Sequence, residues 1–276
     1  MRAHRRNSDP DQHALFTTET RDGVVVLTLC DRVADLLGMN PTAINQLWRF
    51  FAEQARTPSA AIVIHASPSV LGPESIDHLL YSHGVHPDGQ IAPLRLFNSH
   101  DFLREMNAIR RFIEVVTKTE MFVVVTLSGS IVLPLFGPIM ACDARVASTD
   151  FTLVNRILDY CFTPLGGLPW FLTQLIGRTQ AKNLLRHMSS IDADNALQLG
   201  LVDEIAPQDR LVDAAVAIAQ ELAGHPYGNR VAIKQTSVIS GESLNAYLIR
   251  EEALFRKSIA KFEVCHAYTR NRPQNG

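Results

Sequence analysis

Along this chain, short apolar runs alternate with stretches whose apolar residues recur at helical spacing. "GVVVLTL" (23–29), "AAIVIHA" (60–66) and "MFVVVTL" (121–127) are β-rich runs. Between them lie two helical stretches, "TAINQLWRFFAEQA" (42–55) and "DFLREMNAIRRFIEVVTK" (101–118). In the second, Phe102, Met106, Ile109, Phe112, Ile113 and Val116 fall on one face. Strand–helix alternation predicts α/β layers with parallel pairing. A Gly/Pro/His-rich segment, 67–100, interrupts the pattern.

The stretch "SGSIVLPLFGPIMACDARVAS" (128–148) reads as a small-residue turn, an apolar helix and a short strand. A glycine/proline loop, "TPLGGLP" (163–169), leads into helices through "QLIGRTQAKNLLRHM". "IDADNALQLGLVDEIAP" (191–207) predicts a helix capped by Asp192 or Asp194, stopped at Gly200, then a strand. Beyond 208 the chain reads all-helical and ends in an amphipathic run, 243–269. That run carries Leu244, Tyr247, Leu248, Phe255, Ile259 and Phe262, enough apolar surface to predict self-association. The organisation expected is a disordered tail (1–12), an α/β core (13–207) and a C-terminal helical oligomerisation region (208–276).

Composition changes this picture little. The chain has 276 residues, is 46% hydrophobic and carries a net charge of −2, so neither nucleic acid nor an anionic membrane is an expected partner. No apolar run approaches the ~20 residues of a membrane span. The start "MRAHRRNSDPDQH" has no apolar run behind it and does not read as a secretory signal. Cys30, Cys142, Cys161 and Cys265 show no CxxC spacing, and a reduced, cytoplasmic setting is expected. His78, His83 and His86 lack a cysteine or carboxylate at metal-ligand spacing, so a polar loop is expected there and no metal site.

"ACDARVAS", "PLGGLPWFLTQLIGRTQAKNLL" and "IDADNALQLGLVDEIAP", in that order, resemble the crotonase superfamily, the enoyl-CoA hydratase/isomerase group. The likeness runs from about 13 to 260 and is weakest between 67 and 100. It implies a spiral of ββα units with a C-terminal helical region, assembled as trimers or dimers of trimers. It also implies acyl-thioester chemistry without a cofactor, coenzyme A entering only as part of a substrate. Two backbone N–H groups then bind the thioester oxygen and stabilise an enolate, one of them at a helix start. Hydratases of the family add two glutamates as acid and base.

Each of those features is altered in this sequence. The family's "NGYALGGGCELALACD" aligns without a gap on "SGSIVLPLFGPIMACD" (128–143), putting the donor glycine on Pro134 and the first glutamate on Gly137. The second glutamate falls on Ile157. The first oxyanion loop, "AGADL" in the family, falls on "LGPES" (71–75) and puts Pro73 on its donor, with Glu74 where the family has aspartate. A one-residue shift there would return the donor role to Gly72 or Glu74. Proline has no N–H to give, although it starts a helix well.

The candidate pocket is therefore lined by Gly72, Pro73, Pro134, Leu135, Gly137, Ile157 and Phe162. Asp159 and Tyr160 are the acid/base candidates, with Glu74 as a third. The structural alternative makes Asp159 a turn residue, Tyr160 core, and Glu74, Asp77 and His78 parts of a capped helix. Cys161 reads as a buried inert thiol, and Trp170 and Phe171 as core. Three functions stay open: an atypical crotonase-fold enzyme acting on a carbonyl or acyl-thioester substrate as a lyase, an isomerase or a C–C bond-cleaving enzyme, with a place in specialised metabolism; a standard hydratase/isomerase; and a non-catalytic homologue that supports an active partner in a hetero-oligomer.

Overall fold

A computed structural model describes residues 15–30, 41–55, 60–68, 70–82, 100–155, 164–187, 190–237 and 241–259. Its main sheet has six strands in the order β1-β2-β3-β4-β6-β9. These are β1 (Phe16–Arg21), β2 (Val24–Leu29), β3 (Ala61–Ala66), β4 (Phe122–Leu127), β6 (Ala144–Ser148) and β9 (Glu204–Ala206). From β2 onward the neighbours are parallel, as the strand–helix alternation predicts. The addition is β1, which pairs antiparallel with β2 through an Asp22-Gly23 turn with φ of 48° and 83°. Left-handed conformation at both turn residues matches the twist of a tight hairpin. A second sheet joins β5 (Ser130–Val132), β7 (Thr152–Val154) and β8 (Ser190–Asp192).

Both faces of the sheet are covered over its inner strands, which explains why β2, β3 and β4 are almost continuously apolar. On one face Val24, Val26, Ala61, Val63, Phe122 and Val124 meet α7 (Leu211–Gly224). The small residues Ala215 and Ala219 are fully buried and let that helix approach closely. The other face packs against α1 (Pro41–Gln54), α3 (His100–Lys118), α4 (Leu133–Met140) and α5 (Leu168–His187). α5 is bent at Gly177, whose φ of 76° and ψ of 159° interrupt the helix.

The motifs carrying the family resemblance hold the sheet together. Asp143 Oδ2 accepts the Val123 amide at 2.7 Å and Lys234 Nζ at 2.7 Å. Lys234, on α8 (Tyr227–Ser237), is 2% exposed and also donates to the Met121 carbonyl. Arg145 donates to the carbonyls of Leu201 and Cys142 and pairs with Asp203 at 2.9 Å. Asp192 caps α6 (Ala193–Gln198) by accepting the Asn195 amide at 2.9 Å. Gly200, at φ 70°, ends it with a Leu201-to-Ala196 bond of 2.8 Å.

The last described helix, α9 (Gly241–Ile259), changes the basis for expecting self-association. Leu244, Leu248 and Phe255 are buried within this chain rather than presented to a neighbour. Among the described side chains of α9, the large apolar ones exposed are Ile249 and Leu254, off that stripe. Residues 260–276, including Phe262, lie outside the described residues, as do 1–14.

Candidate functional site

The two segments singled out in the sequence meet in space. After β3, residues 67–72 lead into α2 (Pro73–Ser82); after β5, α4 starts at Leu133 with Val132 as its extended cap residue. The Val132 amide donates to the Leu71 carbonyl at 3.1 Å. Gly129 is essential to this approach: at φ 62°, an added Cβ would lie 2.9 Å from Pro68 Cβ.

Both helix starts carry proline: Pro73 is the first residue of α2 and Pro134 the second of α4. First-turn amides have no partner within their own helix and are the groups a site can direct at a carbonyl oxygen. Neither proline has one. Gly72 is buried beside α2, and Glu74 is exposed on its first turn. Asp77 and His78 follow on the same helix, His78 exposed. Among the described residues no group of three or more His, Cys, Asp or Glu side chains could hold a metal.

Gly137 is walled in. A Cβ there would stand 2.4 Å from the Gly166 carbonyl oxygen and 2.9 Å from that of Leu165. The Gly166–Gly167 turn, with φ of 70° and 75°, thus rests directly on α4. Pro138, the next residue of α4, touches the same turn, since a Cβ on Gly166 would come within 2.8 Å of Pro138 Cδ.

Beside these helix starts lies a cavity of about 130 Å³. Leu71 and Leu135 border it on the α2/α4 side; Ala66, Ile64 and Val125 form its floor; Trp48, Phe51, Ala108 and Phe112 close it from α1 and α3. Among the described residues no charged side chain lines it. Leu133 and Phe136 are spent in the core. Cys142 also borders the cavity, but burial pushes its thiol up to about 12, so it is no nucleophile at neutral pH. A second cavity of about 280 Å³ adjoins Asp143 and Arg145, whose charges are already engaged in the pairs described above.

Ile157, Asp159, Tyr160, Cys161 and Phe162 lie outside the described residues, as do His83 and His86. Their segment is bracketed by described anchors: the Asn155 side-chain amide donates to the carbonyls of Leu184 and Leu185, and Pro164 precedes the glycine turn.

One ionisable group at this turn went unnoticed in the sequence. Glu251, on α9, is 7% exposed and its Oε2 accepts the Gly167 amide at 3.0 Å. Burial pushes its carboxyl up to about 7, against the opposing pull of the Gly167 and Gly166 amides.

A model of the enoyl-CoA hydratase/isomerase family matches residues 107–273. A short-chain-enoyl-CoA hydratase of Clostridium acetobutylicum is 31% identical over 86 residues, covering 31% of this chain and 33% of that protein. A probable enoyl-CoA hydratase of Mycobacterium tuberculosis is 29% identical over 130 residues, 45% of this chain and 46% of that protein. The matched stretches thus span a third to a half of these relatives' length. In overall shape the chain is similar to the crystal structure of an enoyl-CoA hydratase from Bacillus halodurans, with a TM-score of 0.72 at 16% identity, covering 91% of this chain and 98% of that one. An enoyl-CoA hydratase/isomerase structure from Pseudoalteromonas atlantica gives 0.68 at 18% identity, covering 95% and 100%.

Proposed function

The chain belongs to the enoyl-CoA hydratase/isomerase family, and within it we propose an atypical enzyme that acts on a carbonyl or acyl-thioester substrate without the usual donor pair. The observation that carries this reading is proline at the start of both α2 and α4, joined through the 3.1 Å Val132–Leu71 bond. The family's way of holding an enolate oxygen uses amides at those two places, and here neither residue has one. The apolar cavity beside them suits the hydrocarbon part of a substrate, because its described lining is apolar side chains and one buried thiol. Asp159 and Tyr160 are proposed as acid and base, with Glu74 at the pocket mouth.

A second reading is favoured by the seal at Gly137 and by the apolar side chains that the described residues place around the cavity: a non-catalytic homologue that supports an active one. The two are separated by incubating the protein with acyl-CoA thioesters and 1,3-diketones bearing apolar tails, with products followed by mass spectrometry. The enzyme reading expects turnover of at least one, reduced about 10²–10⁴-fold by Asp159→Asn or Tyr160→Phe. Near wild-type rates in both variants would remove those residues from the mechanism. Inertness toward every compound would leave the supporting role.

A further inference from the structure

We propose that Glu251 is a positioning residue: neutral, it fastens α9 to the Gly166–Gly167 turn; ionised, it loosens that attachment, so proton uptake sets how firmly the wall beside Gly137 is held. The inference rests on the reading above only in counting that wall as part of the pocket.

The turn gives this carboxyl one backbone donor. Gly166 and Gly167 are successive residues at positive φ, and Glu251 Oε2 sits 3.0 Å from the Gly167 nitrogen. The other oxygen, Oε1, is buried and has no hydrogen-bond partner among the described residues. A carboxylate with one bare oxygen in an apolar surround is poorly hydrated, so water draws the ionised form outward. Around it, a Cβ on Gly167 would meet Phe171 at 3.0 Å and Leu248 at 3.3 Å. The far side of the turn bears on Gly137 and Pro138, and Pro138 borders the cavity. Any displacement of Glu251 is therefore transmitted through one turn of backbone to the pocket.

Among the described residues few charges compete for this carboxyl. α4 (LPLFGPIM) and the first turn of α5 (Leu168–Phe171) contain no ionisable residue. On α9, Tyr247 lies one turn before Glu251; burial and then the Glu251 charge push its phenol up to about 12, against the pull of Arg250. On α3, which α9 also touches, Arg110 bonds Asn107 and Arg111 lies over the Trp48 ring, while Glu114 is half-buried.

The sign follows from linkage. The folded carboxyl titrates near 7 and the free one near 4.5, so the docked state holds its proton longer and docking weakens as pH rises between those values. His65 works in the opposite sense: its folded pKa is lowered, by burial and then by Arg21, so its contribution is lost as pH falls. Comparison with Glu251→Gln removes that background.

The test is hydrogen exchange of the Gly166 and Gly167 amides, corrected for intrinsic rate, on the full chain between pH 5.5 and 8. The wild type is expected to lose protection roughly 10–30-fold over that range, and Glu251→Gln less than about threefold. A flat wild-type profile, or the same profile in Glu251→Gln, would overturn the proposal. Should the variant fail to fold, a carbon-13 titration of the wild-type Glu251 carboxyl decides: a midpoint near 7 supports the clamp and one near 4.5 removes it. Neither readout requires a substrate, so failure here is distinct from failure of the proposed reaction.

Discussion

Placing a glutamate at position 137 is expected to damage the protein rather than equip it for hydration. The first atom of any side chain there would fall 2.4 Å from the Gly166 carbonyl oxygen, a backbone atom that cannot swing away. Overpacking of this kind costs about 1–3 kcal/mol when neighbours can adjust. Here the turn must move as a unit, and the new carboxylate would face two carbonyl oxygens. A loss of about 3 kcal/mol or more is expected for Gly137→Glu, and about 1–3 kcal/mol for Gly137→Ala despite the better helix propensity of alanine. Urea unfolding measures both. Gly137→Ala at or above wild-type stability would mean that the turn does not rest on α4 as described. The same geometry explains why glycine is tolerated in the middle of an apolar helix: it lets two segments touch.

Lys234→Met is expected to cost about 3–5 kcal/mol, because it leaves the Asp143 carboxylate buried without its cation. Asp143 would keep the Val123 amide as a donor, but that bond alone offsets little of the burial, which already raises its pKa even with Lys234 in place. For a chain of this size the melting temperature should fall by roughly 6–15 °C. The double variant Lys234→Met with Asp143→Leu should recover much of the loss, since an apolar pair leaves no charge stranded. A single-variant melting temperature within about 2 °C of wild type would show that α8 is not anchored through this pair.

Much of this architecture was legible in the chain because burial leaves a mark on sequence. β2, β3 and β4 are apolar on both faces, so their runs stand out, and Asp192 and Gly200 announce the ends of α6. β1 does not stand out: "FTTETR" is half-exposed to exposed along its length and has no apolar alternation, leaving only the Asp22-Gly23 pair to betray a hairpin. The apolar stripe of α9 was legible as well, but a stripe states that something covers it and not what. Here Leu244, Leu248 and Phe255 are covered by their own chain.

The candidate site was legible only where it follows local rules. Proline at a helix start can be read from neighbouring residues, and Pro73 and Pro134 stand at such starts. Glu251 and Gly167 are 84 residues apart, and no local pattern ties a carboxylate on a terminal helix to a glycine turn. The reason for glycine at 137 is likewise a tertiary contact, invisible until the Gly166 carbonyl is placed.

Under the function proposed above, Pro73 and Pro134 stand where the family's two oxyanion donors belong and have no N–H to give, so hydration of crotonyl-CoA should be absent. Loss of one such donor typically lowers the rate about 10²–10³-fold, and loss of acid–base glutamates about 10²–10⁴-fold, without simple additivity. Purified wild-type protein is therefore expected to leave the enone absorbance of crotonyl-CoA falling no faster than in an enzyme-free control. Turnover of about 1 s⁻¹ or faster, within the usual range for enzymes, would mean that the amides of Gly72, Glu74, Leu133 or Leu135 act where Pro73 and Pro134 cannot, and that the site is not atypical in this respect.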